Sequence, residues 1–483
     1  MKKLSIFIII ATVVLSGCSK SYYDINQNPN QSTNASVDLV LANALNTTAG
    51  FQVNQFQAVS EWLGYWAPSG SYAINSSDGA SYKQTTGFAD GLWIAYYRNL
   101  EDYDYVQKTA TANNQYFYIA AAKTMKAYVY GQLVDMFNNV PYSEALQGTT
   151  IIQPKYDDAK AIYESLSTNL DDAVKLFQRA DAVAVASQDI LFAGNTAQWA
   201  KFANTLRLRL LIHQAQMSGR SAYIAAEIAK IQTNGSGYLT TDAGVNPGYS
   251  NSTGKQNPLW ALCYNTAGTF IQDFWRANKY PITWGQANGD IRYQYLYAPV
   301  GGVWVGNVIG ATNNAVGSAS STFGSGVLKS VAQPAIILSA SESYFLQAEA
   351  GLRGWIANSP AALVNSGVQA NFSFLGAGSA AAYTSQNNKQ TNYTVCTNDA
   401  ERLACIIRQK WMANNFTTPL EAWNDYRRTG LPADLPITVH PNADVYAIPT
   451  RFLYAASEYQ TNAANVNAMG SINHHGSKIF WMP

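Results

Sequence analysis

Two pairs of acidic residues have the spacing that acid–base chemistry needs. Glu342 and Glu349, in SESYFLQAEAGLRG, are seven apart and share one face of a helix. Glu421 and Asp425, in PLEAWNDYRRTG, form an i, i+4 pair. A glycoside hydrolase needs two carboxyl groups flanking the bond it cuts. Arginines accompany both pairs, Arg353 the first and Arg427 with Arg428 the second. Buried charges persist when they are paired, so an internal ion-pair network that fixes helix packing is favoured over catalysis. The same reasoning covers Arg207 and Arg209 in QWAKFANTLRLRLLIHQA. Phe202, Leu206 and Arg209 share a stripe, which sets an arginine on or beside the apolar face and implies an internal carboxylate partner.

Other chemistries find little support. There is no HExxH, no GxSxG, no phosphate-loop lysine motif and no EF-hand loop. The four histidines are scattered: His213 within a helical pattern, His440 before a proline, His474 and His475 in a polar tail. No cofactor and no metal site are expected. Charged residues make up 13% of the 483-residue chain, about half the usual share, and the net charge is +1. No basic patch interleaved with aromatics suggests nucleic acid. The polar surface must come from Asn, Gln, Ser, Thr and 31 tyrosines, which suits neutral, hydroxyl-rich ligands such as sugars.

The N-terminus reads as an export signal. A basic Met1-Lys2-Lys3 precedes an apolar run from Leu4 to Leu15, too short to span a bilayer as a helix. Ser16-Gly17-Cys18 follows with the pattern of a bacterial lipobox, so residues 1–17 are expected to be removed and Cys18 acylated. Several acyl chains on one residue hold a protein firmly. Residues 18–34, polar with Asn-Pro turn signals, read as an extended leader to a body over 35–483. Cys263, Cys396 and Cys405 cannot all pair; one Cys396–Cys405 bridge or three buried thiols both fit.

The elements that must position these residues are helices. In YDDAKAIYESLSTNLDDAVKLF (156–177), Ala159, Ile162, Leu166, Leu170, Ala173 and Phe177 recur at steps of three and four, with Asp157 as the N-cap. Residues 113–137 show a similar stripe, stopped by Pro141, and the two form an antiparallel pair resembling tetratricopeptide helix pairs. Further helices are predicted at 36–59, 88–110, 196–218, 221–233, 335–355, 359–370, 398–416 and 419–428. Residues 62–87, 235–330 and 375–397, rich in Gly, Asn, Ser and aromatics, read as irregular. The fold class is mostly α: tetratricopeptide-like helix pairs with long irregular loops.

Several blocks, in order along nearly the whole chain, resemble the SusD/RagB lipoproteins of the Bacteroidetes. They are Tyr23-Asp24-Ile25-Asn26-Gln27-Asn28-Pro29-Asn30; Asp189 to Asn195 running into Trp199 to Arg209; Glu342 to Ala350; and Ile407 to Trp411 leading to Glu421 to Gly430. The block from Pro449 departs from the pattern, with Thr450 and Tyr454-Ala455 where the family often has basic residues and Tyr-Pro. The resemblance implies a single large helical domain, anchoring on the outer leaflet of the outer membrane through lipid alone, and a SusC-like TonB-dependent barrel as partner, covered as by a hinged lid. It implies capture of glycans, or in some members peptides, without catalysis. A peptide-binding member, a lipid-anchored glycoside hydrolase and a purely structural lid are the rival readings.

The resemblance also puts the ligand face on loops outside the helical repeats. Those loops carry Trp66, Tyr72, Tyr82, Trp284, Tyr297 and Trp304, with Asn75, Asp290 and Arg292 as polar candidates. Aromatic rings take the CH faces of sugars while polar side chains bond their hydroxyls.

Overall fold

The periodic stretches fold as helices and the Gly/Asn/Ser-rich stretches do not, in a computed structural model that describes residues 35–73 and 78–483. In chain order the helices that matter here begin with α1 (Val37–Asn54), α2 (Gln57–Trp62), α3 (Asp90–Ala112), α4 (Tyr116–Phe137), α5 (Ala159–Phe177), α6 (Thr196–His213) and α7 (Ser221–Thr233). An irregular middle holds the short α8 (Pro258–Cys263) and α9 (Lys279–Asn288). Helix then resumes as α10 (Ala340–Leu352), α11 (Pro360–Leu375), α12 (Asp399–Asn414) and α13 (Pro419–Thr429). Three antiparallel two-stranded ladders tie distant segments: β1 (Trp66–Pro68) with β5 (Trp275–Ala277), β2 (Val140–Pro141) with β3 (Tyr156–Asp157), and β4 (Ala243–Val245) with β6 (Ala335–Leu338). The signal segment, Cys18, the 18–34 leader and Asn75 lie outside the described residues.

Helices α3 to α6 pack in sequence, each on the next. On α5, Ile162, Leu166, Leu170 and Phe177 form the buried stripe read from the sequence. α4 is buried almost all round, because α1, α3, α5 and α6 enclose it. Its Ala120, Ala121 and Ala122 are fully buried, and their small volume permits that close enclosure. The result is a single, mostly α-helical domain. Its three described cysteines are buried free thiols.

Some boundaries differ from the sequence reading. The N-cap of α5 is Asp158, whose carboxylate accepts from the N–H of Ala161 at 2.9 Å. Asp157 sits in β3 and accepts from the N–H groups of Tyr142 and Ser143, each at 2.9 Å. The helix expected over 335–355 begins only at Ala340, because Ala335–Leu338 pairs with β4 and Ser339 caps the helix by accepting from the N–H of Glu342. The helix expected over 36–59 breaks between Asn54 and Gln57.

The acidic residues singled out by spacing are interior ion-pair partners. Arg209 on α6 donates to Glu342 on α10 at 2.6 and 2.9 Å, and its Nε lies 3.7 Å from Glu421 on α13. Glu421 also faces His213 Nε2 at 3.0 Å, while His213 Nδ1 lies 3.4 Å from Asp135 on α4. Asp135 in turn accepts from Tyr163 and, at 3.0 Å each, from Trp481 Nε1 and Asn424 Nδ2. Nearby, Arg428 bonds Glu349 at 2.7 Å and Asp425 at 2.7 Å, Lys410 meets Asp425 at 3.0 Å, and Arg353 holds Glu349 at 2.8 Å. Arg207 joins Asp171 and Glu227. Donor atoms of Asp135, His213 and Glu421 lie within 4.8 Å of one another, a spacing a cation could occupy. The positive charge there is supplied by Arg209 and the imidazolium, and the carboxylates are already hydrogen-bonded.

These partners set protonation states. Burial opposes a charge on His213, but Asp135 and Glu421 outweigh it and carry its pKa up to about 9. Burial would raise Glu349, yet Arg428 and Arg353 hold it down to about 2. The His213 contribution to stability is therefore complete below the unfolded imidazole value of about 6.5 and is lost as pH rises through about 9. The Glu349 contribution is complete above its ordinary value of 4.5 and is lost as pH falls toward about 2. Urea titrations from acid to alkaline pH should show both losses, and Glu349→Gln should remove the acid limb while destabilising by about 3–5 kcal/mol at neutral pH. His213→Gln should flatten the alkaline limb, measured in the same titrations.

Candidate ligand-binding face

Three irregular segments converge where β1 meets β5. Trp66, Ala67 and Pro68 pair with Ala277, Arg276 and Trp275. Asn307 and Asn314 both donate to the carbonyl of Pro68, at 3.1 Å each, and so bring the 304–323 segment onto the ladder. The N–H of Gly70 donates to the carbonyl of Ala315 at 2.9 Å; a Cβ at Gly70 would stand 1.9 Å from the carbonyl oxygen of Asn314, so only glycine permits the approach. Arg276, buried, donates to the carbonyls of Gly317 and Gln272 and to the carboxylate of Asp273. Side-chain-to-backbone bonds thus do for these loops what ladders do for a sheet.

An aromatic row lies on this locked base. Tyr72 is 44% exposed and meets Phe274 edge-on at 5.0 Å. Phe270 is 36% exposed and packs edge-on against Tyr264 at 5.2 Å, and Tyr264 stacks on Trp260 at 4.4 Å. Ile271 and Val316 add exposed aliphatic surface. Beside the row run two adjoining hollows of about 280 and 580 Å³ that share Asn54 and Gln55 at the α1–α2 junction. The first also takes in Gln57 and Phe274, the second Asn46 and Gln256. Rings next to neutral carboxamides can meet both the apolar faces and the hydroxyl rim of a sugar.

Of the residues proposed from sequence, the structure places Tyr72 on this face and Trp304, half-buried, at its flank with Nε1 donating to the carbonyl of Tyr297. The rest of the described candidates point inward. Trp66 is 3% exposed and packs among Trp275, Phe323 and Phe416 beneath the ladder. Tyr82 is buried edge-on to Trp62, and its hydroxyl accepts from the N–H of Thr438. Trp284 is buried under Arg408, 5.2 Å from its ring. Asp290 and Arg292 form a buried ion pair at 2.6 Å that also binds Asn371 and Gln409. Tyr297 donates to the carbonyl of Tyr65 and accepts from Asn415. The correction has one cause: a long irregular segment must bury rings of its own to stay put, so most of its aromatics become core. Phe270, Phe274, Tyr264 and Trp260 were missed, although NTAGTFIQDFW concentrates rings between turn residues.

No helix among the described residues is long and apolar enough to cross a membrane. No curated protein matches the sequence. Solved structures do match. A SusD homolog from Bacteroides uniformis is similar at 23% identity and TM-score 0.77, covering 92% of this chain and 99% of its own. A protein described as chitin-binding is similar at 24% identity and TM-score 0.75, over 93% of this chain and 100% of its own. A chitin-binding SusD homolog from Flavobacterium johnsoniae is similar at 21% identity and TM-score 0.76, over 91% and 98%. The family model described as "Starch-binding associating with outer membrane" matches residues 29–455. With that model covering most of the chain and the helical architecture in agreement, the protein belongs to the SusD-like family.

Proposed function

We propose that this protein is a surface lipoprotein, tethered through Cys18 to the outer membrane, that captures an oligosaccharide and passes it to a SusC-like TonB-dependent transporter without breaking a bond. The observation that carries the glycan reading is a set of rings, with Tyr72 and Phe270 exposed and Phe274, Tyr264 and Trp260 packed behind them, beside hollows whose lining includes Asn46, Asn54, Gln55, Gln57 and Gln256. A sugar meets rings and amides there. The family, and the relatives described as chitin-binding, support the same class of ligand. The carboxylate pairs that a hydrolase would need are engaged in interior ion pairs, which supports binding over turnover. Transfer to a barrel partner rests on the family resemblance and on the lipobox at Ser16-Gly17-Cys18.

Affinity electrophoresis through gels containing a soluble chitin derivative or starch, followed by calorimetry with the matching oligosaccharides, checks this. Tyr72→Ala and Phe270→Ala should each weaken retention by about 1 kcal/mol, several-fold in Kd, and leave the urea midpoint almost unchanged. Trp66→Ala should instead destabilise the fold by about 3–5 kcal/mol. Shortened glycan products from the purified protein would replace binding with hydrolysis. Native purification from outer membranes should bring down a large β-barrel protein, and Cys18→Ala should release the chain from the membrane fraction.

A further inference from the structure

A separate pocket of about 260 Å³ opens beside α1 and shares no lining residue with the carboxamide hollows. The two adjoin along α1: Asn46, Gly50 and Asn54 line the larger hollow, whereas Ala49, Gln52 and Val53 line the pocket. Its walls come from α1, the β4–β6 ladder, the start of α8, and Phe374 and Phe416. Most of that lining is apolar, including Val53, Leu259 and Ile336. The volume is near the lower end for small-molecule sites, which start at roughly 300 Å³.

Five polar side chains interrupt the apolar wall. Asn257 and Gln333 spend their amides on neighbouring backbone, which leaves three. Asp242 uses Oδ1 to accept from the N–H of Ala340 at 2.7 Å, which leaves Oδ2 available. Lys329 lies 4.1 Å over the ring of Phe374 and donates one hydrogen to that residue's carbonyl, which leaves two. Both side chains are solvent-accessible within the pocket. Gln52 is 6% exposed; its Nε2 donates to Tyr128 at 2.8 Å, and its Oε1 has no hydrogen-bond partner among the described residues. The pocket walls desolvate both charged groups: Asp242 is pushed up and Lys329 down from their ordinary values, each moderated by the other across the gap.

A ligand entering such a pocket strips remaining water from one anion and one cation, which is costly unless it replaces that water with opposite charges. A neutral sugar offers none, and the walls offer it little to hydrogen-bond. A molecule with one ammonium, one carboxylate and an apolar side chain satisfies every feature. We infer that this pocket is a second binding site, for a small zwitterionic amino acid with an apolar side chain. Its ammonium is held by Asp242 and the Gln52 carbonyl, its carboxylate by Lys329, and its side chain lies against Val53, Leu259 and Phe416. The site is independent of the glycan face and does not rest on that reading.

Isothermal titration of the purified protein with L-leucine and L-phenylalanine tests it. At least one should bind, and the corresponding N-acetyl and amide derivatives, each lacking one charge, should bind roughly tenfold or more weakly. Lys329→Met should cause a comparable loss. So should Asp242→Asn, with circular dichroism checking α10, since Asp242 also holds the N–H of Ala340. Tyr72→Ala should bind the amino acid as the parent does. No heat with either amino acid at millimolar concentration overturns the inference, as does equal binding of the blocked derivatives. N-acetylglucosamine binding that is abolished by Lys329→Met would also overturn it, making the pocket a sugar subsite.

Discussion

A guanidinium cut off from water has to find carboxylates, and Arg209 finds two: Glu342, 133 residues further along the chain, and Glu421 beyond it. The demand is strong because leaving one member unpaired in the interior is far more costly than any single apolar contact is favourable. His213 and Asp135 extend the chain of charges, so that α4, α6, α10 and α13 share one set of interactions. Arg428 ties α10 to α13 a second time through Glu349 and Asp425. Apolar packing alone would tolerate helices sliding by a turn; matched charges at fixed depths do not. The relative placement of the N-terminal and C-terminal helices, and of everything mounted on them, follows from this constraint.

The loop-built side around β1 and β5 solves a different problem. It has little helix and only short ladders, yet it must hold rings at set positions. Asn307, Asn314 and Arg276 take over by donating to backbone carbonyls that no neighbouring strand reaches. These clamps are mostly uncharged, consistent with a chain in which charged residues are only 13%. Arg209, Glu342, Glu349, Glu421 and Arg428 are drawn inward to the helix network. What this side exposes is largely rings and amides.

α1 links these two halves of the molecule. One face presents Asn46, Asn54 and neighbouring amides to the open hollows beside the aromatic row. Next to it, Gln52 and Val53 line a tighter pocket where two opposite charges meet an apolar wall. One helix thus borders two hollows of different chemistry a short distance apart.

Much of the helical scaffold was legible in the sequence, because a stripe such as Ile162, Leu166 and Leu170 is a local property of the chain. The pairing of arginines with Glu342, Glu349, Glu421 and Asp425 was legible in kind, since charges on apolar faces have few alternatives, although not which arginine meets which carboxylate. The family, too, could be read from its blocks of residues. What the sequence could not reveal was β6, whose partner β4 lies some ninety residues earlier, or the shift of the α5 cap from Asp157 to Asp158, decided by the β2–β3 contact. Nor could it sort Tyr72 from Tyr82 or Tyr297. All three are tyrosines in turn-rich surroundings, and which ring meets water depends on what the rest of the chain packs over it. Local pattern determines which segments become helix; exposure is a property of the assembled surface, so the tertiary structure alone decided which rings reach water.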